Sequence, residues 1–363
     1  MYNMYTGIHI YYEDIMAEKN INGYKSIAAE LKKRILDGSL VAGSRLESER
    51  CLAESWQVER TTIRRALEVL ADERLIIKRP GCPTVVAKSM PQISFINTSQ
   101  SGLMTTHHFI TPVYRKFAEL CGDGGYRSIG MTIAEAGRLD SFEAVLDQSL
   151  GIILCDNVPV EFLEIAKSKK LPCVLMSERA YGFRSVVIDN DSGLAQAVAH
   201  LVSLGHRHIA YIGGDRIFLN SLARADGFRH ALYSLGIEET KPVIQFCGWT
   251  VEQGREGMKQ LLDEHPEITA VCCVNDDVAL GACRVARESG RRIPDDISII
   301  GFGDMLKEER AEIKLTTVRV PYDRFARELY RALIQEIEHP YQDPAAVLVE
   351  TELVIRDTTE KLS

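Results

Sequence analysis

No run of about 18 consecutive apolar residues occurs, so no helix is expected to span a bilayer. There is no CxxC and no paired Cys/His spacing, which argues against a zinc site. The nine Cys, at 51, 82, 121, 155, 173, 247, 272, 273 and 283, are odd in number, and several sit inside apolar runs such as GIILC and AVCCV. They read as reduced core thiols of a cytoplasmic protein rather than a disulfide framework. Neither G-x-G-x-x-G nor G-x-x-x-x-G-K-[ST] is present, so the Gly213-Gly214 pair is weak ground for a nucleotide. His9, His107, His108, His200, His206 and His208 stand in no nucleophile elbow or metal-ligand spacing. No catalytic group, metal or cofactor is therefore expected. Only 12 Pro and 26 Gly exclude a collagen-like or low-complexity chain. Residues 1–17 lack a basic n-region and an uninterrupted apolar core, so they do not read as a secretory signal. With Tyr at 2, 5, 11 and 12, residues 1–21 read as a loose extension. An upstream start ahead of Met16, or an arm on a partner subunit, are the alternatives.

What is present is a globular composition, 45% hydrophobic and 26% charged, over 363 residues, too many for one ordinary core. The formal net charge of −8 would count against a nucleic-acid partner. It is unevenly spread. Residues 18–90 carry 14 Lys/Arg against 10 Asp/Glu, a net of +4; residues 1–17 hold −2 and residues 91–363 hold −10. A mildly basic head on an acidic body is the asymmetry to explain.

In the head, Ile27, Leu31 and Ile35 fall at i, i+4 and i+8, one stripe of a helix that Gly38 is placed to stop. A short helix is predicted over 49–55. A turn at Trp56-Gln57-Val58 leads to a second helix from Arg60 to about Glu73, with Ile63, Leu67 and Leu70 on its inner face. Leu75–Lys78 and Thr84–Ala87 alternate around Pro80-Gly81-Cys82-Pro83, a predicted hairpin. Three helices and a hairpin make a winged helix-turn-helix. The outer face of the second helix carries Arg60, Thr61, Thr62, Arg64 and Arg65. Guanidinium groups suit guanine O6 and N7, and hydroxyls at a helix N-terminus suit phosphate. Taken alone, such a face is also what a merely solvated helix shows.

The run ILDGSL, then GSRL-x-SER, V-x-RTT-x-R-x-AL and a wing of the form G-x-P-T, resembles the DNA-binding domain of the GntR family over 22–88. The resemblance implies that Arg50, Arg60, Thr61, Thr62, Arg64 and Gly81 touch operator DNA. Two positions depart: Glu47 stands where the family usually has Pro, and Glu59 where it usually has Ser or Thr. Glu59 removes a good N-cap and sets a negative charge near phosphates.

From 93 onward, short apolar runs alternate with helical patterns. Strands are predicted at 93–97, 128–133, 151–155 and 173–176, then at 209–213, 243–246, 270–274 and 298–301. Two such series imply an α/β body of two doubly wound parallel-sheet subdomains with a cleft between them. VVIDNDSGLAQAVAHLVSLGHRHIAYIGG, LARADGFRHAL, VNDDVALGA, PDDISIIGFGD and LTTVRVPYDRF resemble the LacI/GalR effector domain, a bilobed fold similar to periplasmic sugar-binding proteins. The resemblance covers essentially all of 91–358. It implies a sugar-like effector, with Arg224 as the central donor and Asn275 offering its amide. Trp249 and Phe109 would be flat walls, Tyr322 an aromatic at the lobe interface, and Ser177 a polar contact. Trp249 also reads as core packing, Asp189 and Asp191 as helix caps, and Arg224 as a surface ion-pair partner. In GFGD, Gly303 replaces an acid of the family pattern; Asp304 is the candidate effector contact that substitutes from the next position, the alternative being a pocket without that contact.

Residues 89–92 are the predicted linker, too short for the hinge helix of LacI proteins, and 93–363 the predicted effector-binding and dimerisation domain. Such a hybrid resembles arabinose-repressor-type regulators. The implied function is a homodimeric transcriptional regulator, not an enzyme, binding a pseudo-palindromic operator under control of a carbohydrate. A solute-binding protein of the same fold is the alternative.

Overall fold

The computed structural model describes residues 23–78, 83–87, 90–98, 109–132, 138–237, 242–305, 313–342 and 344–362. The wing tip with Gly81, the extension 1–21, and His107 and His108 lie outside them. The chain forms two compact units: one of residues up to Ile93 together with Cys121–Ser128, the other of Ser94–Leu120 and Ile129 onward.

In the first unit, α1 (Tyr24–Leu36), α2 (Glu49–Trp56) and α3 (Arg60–Asp72) precede a two-stranded wing, β1 (Ile76–Ile77) and β2 (Val85–Val86). The strand pair is antiparallel, with Ile76 opposite Val86. Backbone bonds from Gly43 N to Val86 O and from Leu46 N to Thr84 O lay a third segment along it. Both strands are shorter than the alternation predicts. The apolar stripes are where periodicity places them: Ile27 and Leu31 of α1, and Ile63, Ala66, Leu67 and Leu70 of α3, close on Leu52, Trp56 and Val86. The helix-turn-helix bend is set locally. Ser48 caps α2 by accepting from Cys51 N at 3.2 Å, and Gln57 takes the left-handed conformation at φ 52° to end it. Gly38, at φ +80°, follows the end of α1 as expected.

The second unit carries most of a bilobed body. One lobe is built on a six-stranded sheet of order β13-β7-β6-β5-β3-β4. Its strands are β3 (Gln92–Asn97), β4 (Arg127–Thr132), β5 (Ser149–Cys155), β6 (Cys173–Met176), β7 (Arg184–Ile188) and β13 (Ala346–Val349). Helices α4 (Ile110–Asp123), α5 (Arg138–Gln148), α6 (Val160–Ser168) and α11 (Tyr322–Glu338) accompany them. The other sheet runs β14-β12-β11-β10-β8-β9, with β8 (Ile209–Gly213), β9 (Val243–Phe246), β10 (Ala270–Cys273), β11 (Ser298–Gly303), β12 (Thr316–Arg319) and β14 (Glu352–Val354). Helices α7 (Asn190–Ser203), α8 (Leu219–Ser234), α9 (Val251–Glu264) and α10 (Asp276–Glu288) belong to this lobe. From β8 to β12 all pairings are parallel; only β14 runs against its neighbour. The chain passes between the lobes at Asp189, at Val320-Pro321 and at Glu350-Thr351.

Several bounds differ from the sequence reading. Gln92, assigned there to the linker, opens β3, and β4 begins at Arg127, whose N–H donates to Pro91 O at 2.9 Å. β11 runs on to Gly303 because it pairs with β12 as far as Arg319. The strands β7, β12, β13 and β14 were not anticipated: each lies beside a lobe crossing, where apolar runs are cut by polar residues. The eight described cysteines are all free, and burial pushes the Cys272 and Cys283 thiols up to about 12. His206 is a structural stitch: Nδ1 lies 3.0 Å from Thr269 Oγ1 and Nε2 3.1 Å from Glu360 O.

Gly254 and Gly281 let α9 and α10 pack backbone to backbone. A Cβ on Gly281 would overlap Val251 O, and one on Gly254 would meet Val278 O. Gly281→Ala is therefore expected to destabilise by about 1–3 kcal/mol, read as a drop of several degrees in the melting temperature.

Candidate functional site

Two places concentrate polar side chains without an obvious structural need, the outer face of α3 and the cleft between the lobes. On α3, Arg60, Thr61, Arg64 and Arg65 are exposed and Thr62 is half-buried. Glu59 makes no cap bond to the backbone, as the missing Ser/Thr implies. Its carboxylate instead accepts from Thr61 Oγ1 at 3.1 Å. Two expected DNA contacts are already paired. Arg50 bonds Glu54 at 3.2 Å along one turn of helix. Arg64 Nη2 donates to Glu49 Oε2 at 3.2 Å, and Lys78 of the wing base to Glu49 Oε1 at 2.9 Å. Those two cations hold the Glu49 carboxyl below its ordinary pKa. Glu49 thus ties α3 and the wing to α2, a role sequence reasoning missed because its partners lie 15 and 29 positions away. Arg60 and Arg65 make no ion pair among the described residues.

In the cleft, Arg224 projects from α8 and is 7% exposed, which removes the surface ion-pair reading. Its Nε donates to Asn190 Oδ1 at 3.1 Å and its Nη1 to Val274 O at 2.5 Å. The guanidinium lies 3.9 Å over the Phe302 ring. Burial lowers its pKa from the ordinary arginine value. No carboxylate pairs with it, and Nη2 makes no hydrogen bond among the described residues. A buried cation held by neutral acceptors is positioned rather than neutralised.

Around it stand Asp276, Tyr322 and Phe109. Asp276 is 2% exposed; it accepts from Thr317 Oγ1 at 2.5 Å and from Met305 N at 2.6 Å. Desolvation pushes its carboxyl up to about 6 against those hydrogen bonds. Tyr322 donates from its hydroxyl to Gly303 O at 2.8 Å and packs 5.8 Å, centroid to centroid, from Phe109. Trp249 is half-buried, edge-on to Phe218 at 5.8 Å, and closes over Gly214, where a Cβ would sit 2.8 Å from its ring. Gly214, without a Cβ, lets the indole approach. Asn275 is committed more than its motif suggests. Its Oδ1 caps α10 through Val278 N at 2.8 Å, and its Nδ2 donates to Trp249 O at 2.9 Å. It positions the tryptophan and keeps one amide hydrogen.

Asp304, the candidate substitute for the acid missing at 303, is held by two arginines. Its two oxygens bond Arg319 Nε at 2.6 Å and Arg356 Nη2 at 2.7 Å. Gly303 has its own reason. Its φ is +128°, and a Cβ there would stand 3.2 Å from Tyr322 Oη. Ser177 lies on the other lobe at φ 62°, its Oγ buried with no hydrogen-bond partner among the described residues. Beside it Glu178 accepts from the N–H groups of Asn157 and Val158. Asn157 Nδ2 then reaches across to Ile217 O at 2.8 Å. Asp189 is a cap, accepting from Ser192 N at 3.0 Å. Asn190 and Phe302, which hold Arg224, were missed, although both sit inside quoted motifs. No group of residues that could hold a metal occurs among the described residues.

Asp276 gives a pH prediction. Its pKa is raised from 3.8 to about 6, so the group favours the folded state below about pH 4 and loses that contribution as pH rises through 6. The difference is on the order of 3 kcal/mol between those limits. Subtracting the Tm-against-pH curve of Asp276→Asn from that of the wild type should leave a fall between pH 4 and 6.5. A flat difference would refute the assignment.

Residues 23–86 match the gntR family of bacterial regulatory proteins, and residues 198–359 match the periplasmic binding protein-like domain. The chain is 28% identical over 370 residues to the arabinose metabolism transcriptional repressor of Geobacillus stearothermophilus, covering 96% of this chain and all of that one. It is 35% identical over 173 residues to the HTH-type transcriptional regulator CelR of Thermobifida fusca, a match spanning 48% of this chain and 51% of the relative. Among solved structures, a CelR–cellobiose complex superposes with a TM-score of 0.68 at 22% identity, over 86% of this chain and all of that one. The lac repressor dimer bound to operator and an anti-inducer gives 0.67 at 22%, over 75% of this chain and 95% of that one. These likenesses fix the fold of the body as the LacI type.

Proposed function

We infer that this chain, a GntR-type winged helix-turn-helix head joined to a LacI-type periplasmic-binding-like body, is a ligand-responsive transcriptional regulator of the repressor kind. The observation that carries the reading is the pairing, in one chain, of an exposed arginine-bearing helix with a buried, unneutralised Arg224 in a cleft. A solute-binding protein would have no work for the head. The effector is a carbohydrate: Arg224 donates to its hydroxyls while Trp249 and the Phe109–Tyr322 pair pack on its C–H faces. The chain acts as a homodimer on a pseudo-palindromic operator, with Arg60, Thr61, Thr62 and Arg64 of α3, Arg50 of α2 and Gly81 of the wing toward the DNA. The chain performs no catalysis and works in the cytoplasm; no described helix is long and apolar enough to cross a membrane.

Ligand closes the lobes about the crossings at Asp189, Val320-Pro321 and Glu350-Thr351. Closure shifts operator affinity by a coupling of about 1–3 kcal/mol. A gel shift with the gene's own upstream region, run with and without L-arabinose, ribose and cellobiose, tests this. A band that moves at low salt and changes with one sugar is the expected result. No shift under any condition would sink the reading.

A further inference from the structure

Among the described residues no hinge helix joins the head to the body, yet one piece of the body belongs to the head's compact unit. Cys121–Ser128, the turn between α4 and β4, forms part of the head's compact unit, while the residues on either side of it, Leu120 and Ile129, belong to the other. Three contacts hold this turn to the helices. Tyr126, 2% exposed, accepts a hydrogen bond at its Oη from Lys32 Nζ of α1 at 2.9 Å. The same ammonium lies 4.4 Å from the centroid of the Tyr126 ring. It also pairs with Glu73 at 2.9 Å, with side-chain exposures of only 21% and 16%. Glu73 is the residue that ends α3. Beneath them Gly125, at φ +84°, packs so closely on Leu36 of α1 that any Cβ there would overlap its methyl groups.

We propose that Tyr126, Lys32 and Glu73 form the pin that couples the body to the DNA-reading helix. This rests on the functional reading above. The turn is covalently continuous on both sides with the lobe that moves, through α4 and β4. The far end of the pin is the C-terminal end of α3, whose N-terminal turn carries Arg60. A rigid helix carries a displacement at one end to the other, so a shift of the turn tilts α3 against its target. The half-buried setting gives the pair a strength that an exposed ion pair lacks, and one ammonium serves both partners. Lys32, Glu73 and Tyr126 are thus positioning residues and touch neither DNA nor effector.

Coupling between two sites is reciprocal, so DNA should be felt at the turn without any knowledge of the effector. The test is hydrogen–deuterium exchange on the full chain, with and without a duplex of the gene's own upstream region, for wild type, Lys32→Met and Tyr126→Phe. In the wild type, amides of both α3 and 121–128 should slow on adding the duplex, those of the turn by about fivefold or more. In Lys32→Met and Tyr126→Phe, α3 should still be protected while the response at 121–128 is lost. Protection of α3 with no change at the turn in the wild type, or an unchanged turn response in both variants, overturns the pin. No protection of α3 in any chain instead overturns the DNA-binding reading. Tyr126→Phe keeps the buried ring, so a variant that fails to fold does not leave the question open.

Discussion

Arg224→Ala is expected to abolish the response to effector while leaving operator binding in its absence intact. Calorimetric titration with the sugar that stabilises the wild type should show affinity lower by about 100-fold or more, since each hydrogen bond to a charged donor contributes roughly 1.5–3 kcal/mol. The guanidinium is built into the lobe before ligand arrives: Asn190 Oδ1 and Val274 O fix two of its nitrogens, and Phe302 fixes its plane. This preorganisation spares the ligand an ordering cost. Alanine also leaves the Asn190 and Val274 acceptors without their donor in a buried place, so the body should lose about 1–3 kcal/mol of stability. Arg224→Lys separates the two effects. It restores charge but not the planar fork, and should recover stability more than affinity. An unchanged titration for Arg224→Ala would show that the cleft binds its ligand elsewhere.

How far the sequence could be read depended on the range over which each residue acts. Periodicity placed α3 and its buried face of Ile63, Leu67 and Leu70 because a helix is decided within a few turns. Arg224 was legible as a motif member. Asn275 was legible as a residue and not as a role: only the fold shows its amide divided between Val278 and Trp249. Asp304 was legible as a candidate and not by its partners, since Arg319 and Arg356, which bond its carboxylate, lie 15 and 52 residues away. Gly303 combines a φ of +128° with a carbonyl that accepts from the Tyr322 hydroxyl, a contact 19 residues apart. On the proposed DNA face, residue type alone did not show how free each arginine is. Arg50 is held by Glu54 one turn on in its own helix, and Arg64 by Glu49, a partner 15 positions away that a helical wheel does not show.

That difference in freedom ranks the head's arginines, and Arg60→Ala should have the largest effect on DNA binding of any single change in it. Arg60 opens α3, is exposed, and has no acidic partner among the described residues, so it reaches DNA without first breaking an ion pair. Loss of one bidentate base contact costs about 1–3 kcal/mol, roughly 5- to 150-fold in operator affinity. Arg64 must be shared with Glu49, so Arg64→Ala should cost less, and part of its effect should come from loosening α3 against α2. Arg60→Ala should also relax discrimination against a shuffled duplex, whereas loss of a phosphate-only cation would weaken both duplexes equally and lower the salt slope by about one. The head's net of +4 gives few phosphate contacts to fall back on. In the proposed homodimer its affinity leans on base reading and on dimerisation, and the loss at Arg60 should be doubled in free energy when both protomers carry it. Fluorescence anisotropy on specific and shuffled duplexes, at two salt concentrations, measures all of this. Equal losses on both duplexes would make Arg60 a phosphate contact, and no loss would move the reading surface away from α3.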